Sequence, residues 1–243
     1  GVNEKQLIVS VDGSYTNEEV LKNLPGRVTL IGRIRKDTKL YNVPEGQPYL
    51  GRKRVYGDRL PTPEQVRQSD QYPWQEVNAW AAGKEHKFNV KVIKNTRWRS
   101  AGQKHNLQLV VIRPLGYRLT RSSKVLYREP AYLICTDNDL SVEDLLQAYL
   151  WRWEIEVNFR EEKTLLGCGQ AQVRNPESAE RVPAFISAIY SMLHLAAYRS
   201  LKLSNHILLP RPKWYQRKEG KRHSTGDIIN NLKAQAWAKN IGM

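Results

Sequence analysis

The chain has 243 residues, enough for a real core and one or two domains. Its 39 Lys and Arg outnumber 24 Asp and Glu, and 22 of those bases with only seven acids lie between residues 27 and 128, so the net charge of +15 belongs to a middle segment. No apolar run approaches the roughly 18 residues of a membrane span and no secretory signal opens the chain, whereas a localised basic segment suits a polyanion-binding surface or, more plainly, a solvated basic face.

In chain order, Leu7–Val11 is a continuous apolar run that predicts a buried strand, ending in Asp12-Gly13. Asp12 stands where a strand-end carboxylate would, although Asp-Gly is also a common turn dipeptide. Asn17–Leu24 predicts a short helix with Thr16 as its cap, and Val28–Ile34 a second, β-branched strand. Strand, helix and strand in that order make a right-handed crossover. From Arg35 to about Trp80 the chain turns basic and irregular, with five prolines and the cluster Gly51-Arg52-Lys53-Arg54. Phe88–Ile93, Leu107–Ile112 and Ala131–Thr136 predict three more strands, the first interleaved with Lys87, Lys91 and Lys94. Trp74, Trp80 and Trp98 lie beside basic residues, where core packing is the plainer role and base stacking the alternative. Cys135 and Cys168 have no CxxC and no His at ligand spacing, so they read as free thiols of a reducing cytoplasm.

The stretch Ser141 to Gly167 predicts one helix, with Ser141 capping, Asp144 three residues on, and Gly167 as its stop. Tyr149, Arg152, Glu156 and Lys163 recur at i, i+3, i+7 and i+14. On a helical wheel they share about 60° of arc, bordered by apolar rows. A helix lining a cleft explains polar groups down the middle of an apolar face. A solvated ladder of ion pairs such as Arg152 with Glu156 also fits the pattern. Asn175-Pro176 opens another helix, and the apolar run from Val182 to Leu195 predicts that it is buried, with His194 as a core residue. From Arg199 on, ten Lys and Arg against two acids make a basic tail.

The spacing Tyr149-x2-Arg152-x3-Glu156-x6-Lys163, within YLWRWEIEVNFREEKTLLG, resembles the Y-R-E-K signature of DDE transposases from bacterial insertion sequences. LIVSVDG followed by Tyr15 is similar to that family's second carboxylate motif. The resemblance implies an α/β fold, an RNase H-like mixed sheet with flanking helices, and a β-rich insertion before the helix of the catalytic Glu. Asp12 and Glu156 would be the catalytic metal ligands for Mg²⁺ or Mn²⁺, with Tyr149, Arg152 and Lys163 placing metal and phosphate. The family's first Asp has no counterpart, because none of the eleven residues before Asp12 is Asp. The chain is therefore expected to resemble the C-terminal two-thirds of a family member, with the first strands missing, and alone to bind metal weakly and catalyse poorly.

The implied organisation has residues 1–34 as part of the core and 35–136 as the basic β-rich insertion. Residues 137–200 would carry the signature helices and 201–243 the basic tail. Implied partners are double-stranded DNA, both terminal inverted repeats and target, met as a homodimer in the bacterial cytoplasm at the nucleoid. Arg52, Lys53, Arg54, Lys87, Lys91, Lys94, Arg97, Trp98 and Arg99 are the candidate DNA contacts. A non-catalytic DNA-binding remnant and an RNase H-like nuclease are the alternative readings.

Overall fold

The computed structural model describes residues 5–46, 50–81, 84–102, 105–118, 122–203 and 224–240. It divides into two compact units, residues 1–152 and 153–243.

The first unit is built on a seven-stranded mixed sheet. β1 (Leu7–Val11) pairs in parallel with β2 (Val28–Arg33), with Leu7 opposite Val28 and Val11 opposite Gly32. Between them runs α1 (Glu18–Lys22), capped by Asn17, whose side chain accepts from the Val20 N–H, one residue beyond the expected cap Thr16. β3 (Leu40–Asn42), α2 (Pro63–Gln68), β4 (Gln75–Ala81), β5 (Lys84–Trp98) and β6 (Leu107–Ile112) follow. A small hairpin of β7 (Gly116–Tyr117) and β8 (Leu126–Tyr127) leads to β9 (Ala131–Cys135), and α3 (Val142–Trp151) closes the unit. The strand order is β1-β2-β9-β6-β5-β3, with β4 also on β5, and every pairing after the first is antiparallel.

Alternation of side chains makes two cores from one sheet. On one face Leu30, Leu109, Val111 and Ile134 pack with Leu21 of α1 and Val66 of α2. On the other, Ile31, Val110, Leu133 and Cys135 pack with Leu145 and Leu146 of α3. Covered on both faces, β6 and β9 need unbroken apolar runs, which is what LQLVVI and AYLIC supply, apart from Gln108. Burial also pushes the Cys135 thiol up to about 11.

Two expectations change here. The strands of residues 35–136 do not form a sheet of their own, because β9 bonds directly to β2 through Ile31, Gly32 and Arg33 and carries β6 and β5 with it. The segment expected to be irregular holds β3, α2 and β4. α2 forms because Thr62 and Gln65 make a reciprocal capping box around Pro63, and β4 because Val77 and Ala79 alternate inward.

α2 is held at its other end by Lys91. This lysine of β5 is 1% exposed, and its Nζ donates to the carbonyls of Val66, Arg67 and Ser69 at 3.1, 3.1 and 2.7 Å, 4.5 Å from the centroid of Trp74. A cation at a helix C-terminus meets both the orphan carbonyls and the negative end of the dipole.

The second unit contains α4 (Glu154–Leu165), α5 (Pro176–Leu203) and α6 (Thr225–Asn240). Asn175 accepts from the Glu177 N–H ahead of Pro176, the expected start. Burial along α5 is narrower than expected. Leu193 and Ala197 are buried, but Phe185 and Met192 are 66% and 64% exposed, with α5 packing against α4 and α6 among the described residues. The expected tail includes α6, while residues 204–223 lie outside the described residues. Among the described residues, no helix is long and apolar enough to cross a membrane.

Replacing Lys91 with Met is expected to lower stability by about 2–3 kcal/mol, since it orphans buried carbonyls. Urea unfolding measures this, and an unchanged midpoint would refute the capping role.

Candidate functional site

Asp12 leaves the end of β1 in a tight turn. Its Oδ1 accepts the Ser14 N–H at 2.9 Å, and its carbonyl accepts from the Thr16 hydroxyl at 2.9 Å. Thr16 is 6% exposed and sits directly over Gly32 of β2. A Cβ on Gly32 would stand 2.2 Å from the Thr16 hydroxyl oxygen and 2.9 Å from its methyl carbon. The absent side chain is thus what lets the Asp12 turn settle onto β2.

α3 starts as expected. The Ser141 hydroxyl accepts the Asp144 N–H at 3.0 Å and donates to the Asp144 carboxylate at 2.7 Å. Farther along, Gln147 bonds the backbone of Trp80, accepting from its N–H at 2.7 Å and donating to its carbonyl at 3.0 Å. Two antiparallel steps separate β4 from β6 and two more separate β6 from β2, so β4, β2 and β1 point the same way. Trp80 ends β4 as Asp12 ends β1. Tyr149 and Arg152, which follow Gln147 on α3, therefore lie toward the end of the sheet that bears Asp12. The Arg152 guanidinium is 5.8 Å from the Tyr149 ring centroid.

The signature is not on one helix. After Trp151 the backbone stays in the right-handed helical region at Arg152 and Trp153, but hydrogen bonds tighten to i→i−3: Arg152 N–H to Tyr149 at 3.2 Å and Glu156 N–H to Trp153 at 3.1 Å. Such a turn interrupts the α ladder. The local sequence favours it, because aromatic and β-branched residues crowd Trp151 to Val157, and the break leaves Glu154 and Glu156 in a new first turn, beside a positive dipole end. Tyr149 and Arg152 belong to the first unit. Glu156 and Lys163, both exposed and two turns apart on α4, belong to the second.

The basic candidates separate by burial. Lys91 is withdrawn from any DNA surface, for it is sealed in the core as the cap of α2. Trp98 and Trp74 are partly buried and pack against the core, Trp98 also lining a cleft, while Trp80 is 56% exposed. Arg97 donates to Asn106 and to the Val55 carbonyl at 3.1 and 2.7 Å, and Arg99 lies 5.1 and 5.8 Å from the rings of Tyr41 and Tyr56. Both arginines thereby hold the Arg52–Arg54 segment's neighbours against β5. Lys87 pairs with Glu76 across the hairpin at 2.7 Å, which raises its pKa. Arg52, Lys53, Arg54 and Lys94 are exposed, Lys94 at an irregularity of β5 where Asn95 takes φ +56°.

Sequence reasoning missed a polar triad next to the same sheet end. Glu64 accepts from Nε and Nη2 of Arg67 at 2.9 and 2.6 Å, and from the Tyr132 hydroxyl. The Arg67 guanidinium, then the Tyr132 hydroxyl, holds the Glu64 carboxyl down at about 2, partly opposed by burial. Burial foremost, then Glu64, pushes Tyr132 up to about 12. The capping box at Thr62 was a legible signal for α2, but nothing in the sequence pairs Glu64 with a tyrosine 68 positions away.

Among the described residues, no group of three or more His, Cys, Asp and Glu is close enough to hold a metal ion. Residues 2–192 match the family model described as Transposase DDE domain. No curated protein matches the chain. The seven-stranded mixed sheet with flanking helices is consistent with the RNase H-like fold that the signature implies.

Gly32→Ala is expected to displace Thr16 and cost about 1–3 kcal/mol, as overpacking does. Amide NMR shifts at Ser14 and Thr16 report whether the Asp12 turn moves with it; unshifted signals would refute the contact. Glu64 has a depressed folded pKa, so its stabilisation is complete above the ordinary 4.5 and drains away as pH falls toward about 2. Glu64→Gln is expected to remove that part of the acid dependence, read from urea midpoints across this window.

Proposed function

The chain belongs to the transposase DDE-domain family, and from that premise we propose that it acts in metal-dependent cleavage and joining of DNA strands at the ends of a bacterial insertion sequence. One juxtaposition supports this most. Asp12 ends its strand at the sheet end toward which Tyr149 and Arg152 extend, and Glu156 and Lys163 follow at the signature spacing.

Asp12 and Glu156 are exposed carboxylates, hard oxygen donors that suit Mg²⁺ or Mn²⁺, and they would hold the ion. When bound, such an ion stabilises charge developing on the phosphoryl oxygens. The remaining roles belong to the chain's own side chains. Arg152 presents a planar fork to a phosphate, Tyr149 donates its hydroxyl to a phosphate oxygen, and Lys163 adds a point charge. The exposed bases Arg52, Lys53, Arg54 and Lys94 contact the duplex backbone, that of terminal repeats and of target DNA, with a second copy of the chain bound to the same DNA.

Two carboxylates hold an ion more weakly than three, so nicking of terminal-repeat DNA by this chain alone is expected to be slow. Whatever nicking occurs should need Mg²⁺ or Mn²⁺ and vanish in Asp12→Asn and Glu156→Gln, while metal-free DNA binding persists in both. Products with one DNA end joined to another separate a transposase from a nuclease. The affinity should fall by at least tenfold between about 50 and 200 mM salt, because phosphate contacts release counterions. Salt-independent binding, or nicking that survives both substitutions, would overturn the assignment.

A further inference from the structure

On the face of the sheet opposite α3, a cleft of about 730 Å³ opens beside the Asp12 turn. Gly13 and Thr16 border it on one side and the Arg33–Thr38 segment, α2 and Tyr132 on others. Its place on that face follows from its lining, since Ile34, Tyr132 and Trp98 belong to or pack on the core made with α1 and α2, and not on the one made with α3.

The charges in the cleft fall into two classes. Glu64 is spent, for each of its oxygens accepts bonds from Arg67, Tyr132 or Gln68. Asp37 is 3.3 Å from Arg35. Setting these pairs aside leaves Arg33 and Lys36, both exposed, against the single carboxylate of Glu129. Arg67 adds no net charge, because Glu64 neutralises it through Nε and Nη2. The same cleft is lined by flat apolar groups, Trp98, Pro114 and Pro130. Two exposed cations and flat apolar groups lining one cleft match an anion joined to a ring, and the volume lies within the range of small-ligand clefts. A duplex presents its base faces to its own stack, so only an unpaired nucleotide offers a ring to such a wall.

We infer that this cleft receives single-stranded DNA, with a phosphate on Arg33 and Lys36 and an unpaired nucleotide against the wall of Trp98, Pro114 and Pro130. The inference rests on the proposed function and deepens it. A strand that passes Asp12 on the α3 side can continue round the end of β2, where Arg33 stands, onto the opposite face. The sheet end would then handle a separated strand as well as the duplex carried by the basic loop.

The test uses the full chain and two fluorescein-labelled probes, a ten-nucleotide thymidine oligomer and a blunt duplex of terminal-repeat sequence, followed by anisotropy against salt. The double variant Arg33→Ala/Lys36→Ala alters exposed residues only. It should weaken binding of the single strand about five- to tenfold and reduce its salt slope by about 1.4, two contacts at about 0.7 each, with duplex affinity changed less than about twofold. Glu129→Lys should tighten single-strand binding. Unchanged single-strand affinity in the double variant, or an equal loss for both probes, would overturn the cleft assignment while leaving the proposed function standing. If the wild-type chain binds neither probe in a salt-dependent way, the proposed function falls with it.

Discussion

Lys91 sits midway along the longest strand and gathers three carbonyls from the end of α2, under the ring of Trp74. A buried ammonium is costly unless its donors are met, and here carbonyls and an aromatic face meet them. Much else depends on that contact. It docks α2 on the sheet, α2 brings Glu64 and Arg67 to Tyr132, and this triad forms one wall of the cleft beside Asp12. A single charge in the core of the basic segment therefore organises the layer behind the candidate catalytic carboxylate.

The parts of the fold that depend on local pattern were legible. The apolar strands Leu7–Val11 and Leu107–Ile112, the Ser141 cap and the Asn175-Pro176 start appear where the residues indicate. The last strand stops at Cys135, one residue short of the expected Thr136. Leu7–Val11, expected to be buried, is instead an edge strand with Leu7, Ile8 and Val9 exposed. What was hidden depends on partners distant in sequence. Lys91 resembles its neighbours Lys87 and Lys94, and strand alternation cannot tell a lysine that faces solvent from one that faces a helix terminus. The break after Trp151 was hidden for another reason. A wheel assumes an uninterrupted ladder, and the crowding of aromatic and β-branched residues from Trp151 to Val157 favours a break without fixing where the hydrogen bonds shorten.

The same break changes the meaning of the signature. Its first two members are fixed by what α3 packs on, β1, β2 and β4. Its last two are fixed by α4, whose Glu161 accepts from Tyr190 of α5 at 2.8 Å and from Thr225 of α6 at 2.6 Å. Spacing in sequence thus records two packing arrangements joined by a short tightened turn. Glu162, buried beside Glu161 and bonded to the Ser187 hydroxyl at 3.0 Å, shows how firmly α4 is committed to its own unit.

The bonds from Gln147 to Trp80 carry a consequence beyond placing α3. β4 lies at a border of the sheet, and a border strand exposes unused amides and carbonyls that other chains can extend into a larger sheet. Gln147 fills one such position with a side-chain amide that imitates the backbone of a neighbouring strand, donor for acceptor and acceptor for donor. Glutamate, equal in size, could accept from the Trp80 N–H but would set a negative charge against its carbonyl. The amide at this position thus serves as a miniature strand, occupying the Trp80 N–H and carbonyl that a neighbouring strand would otherwise use.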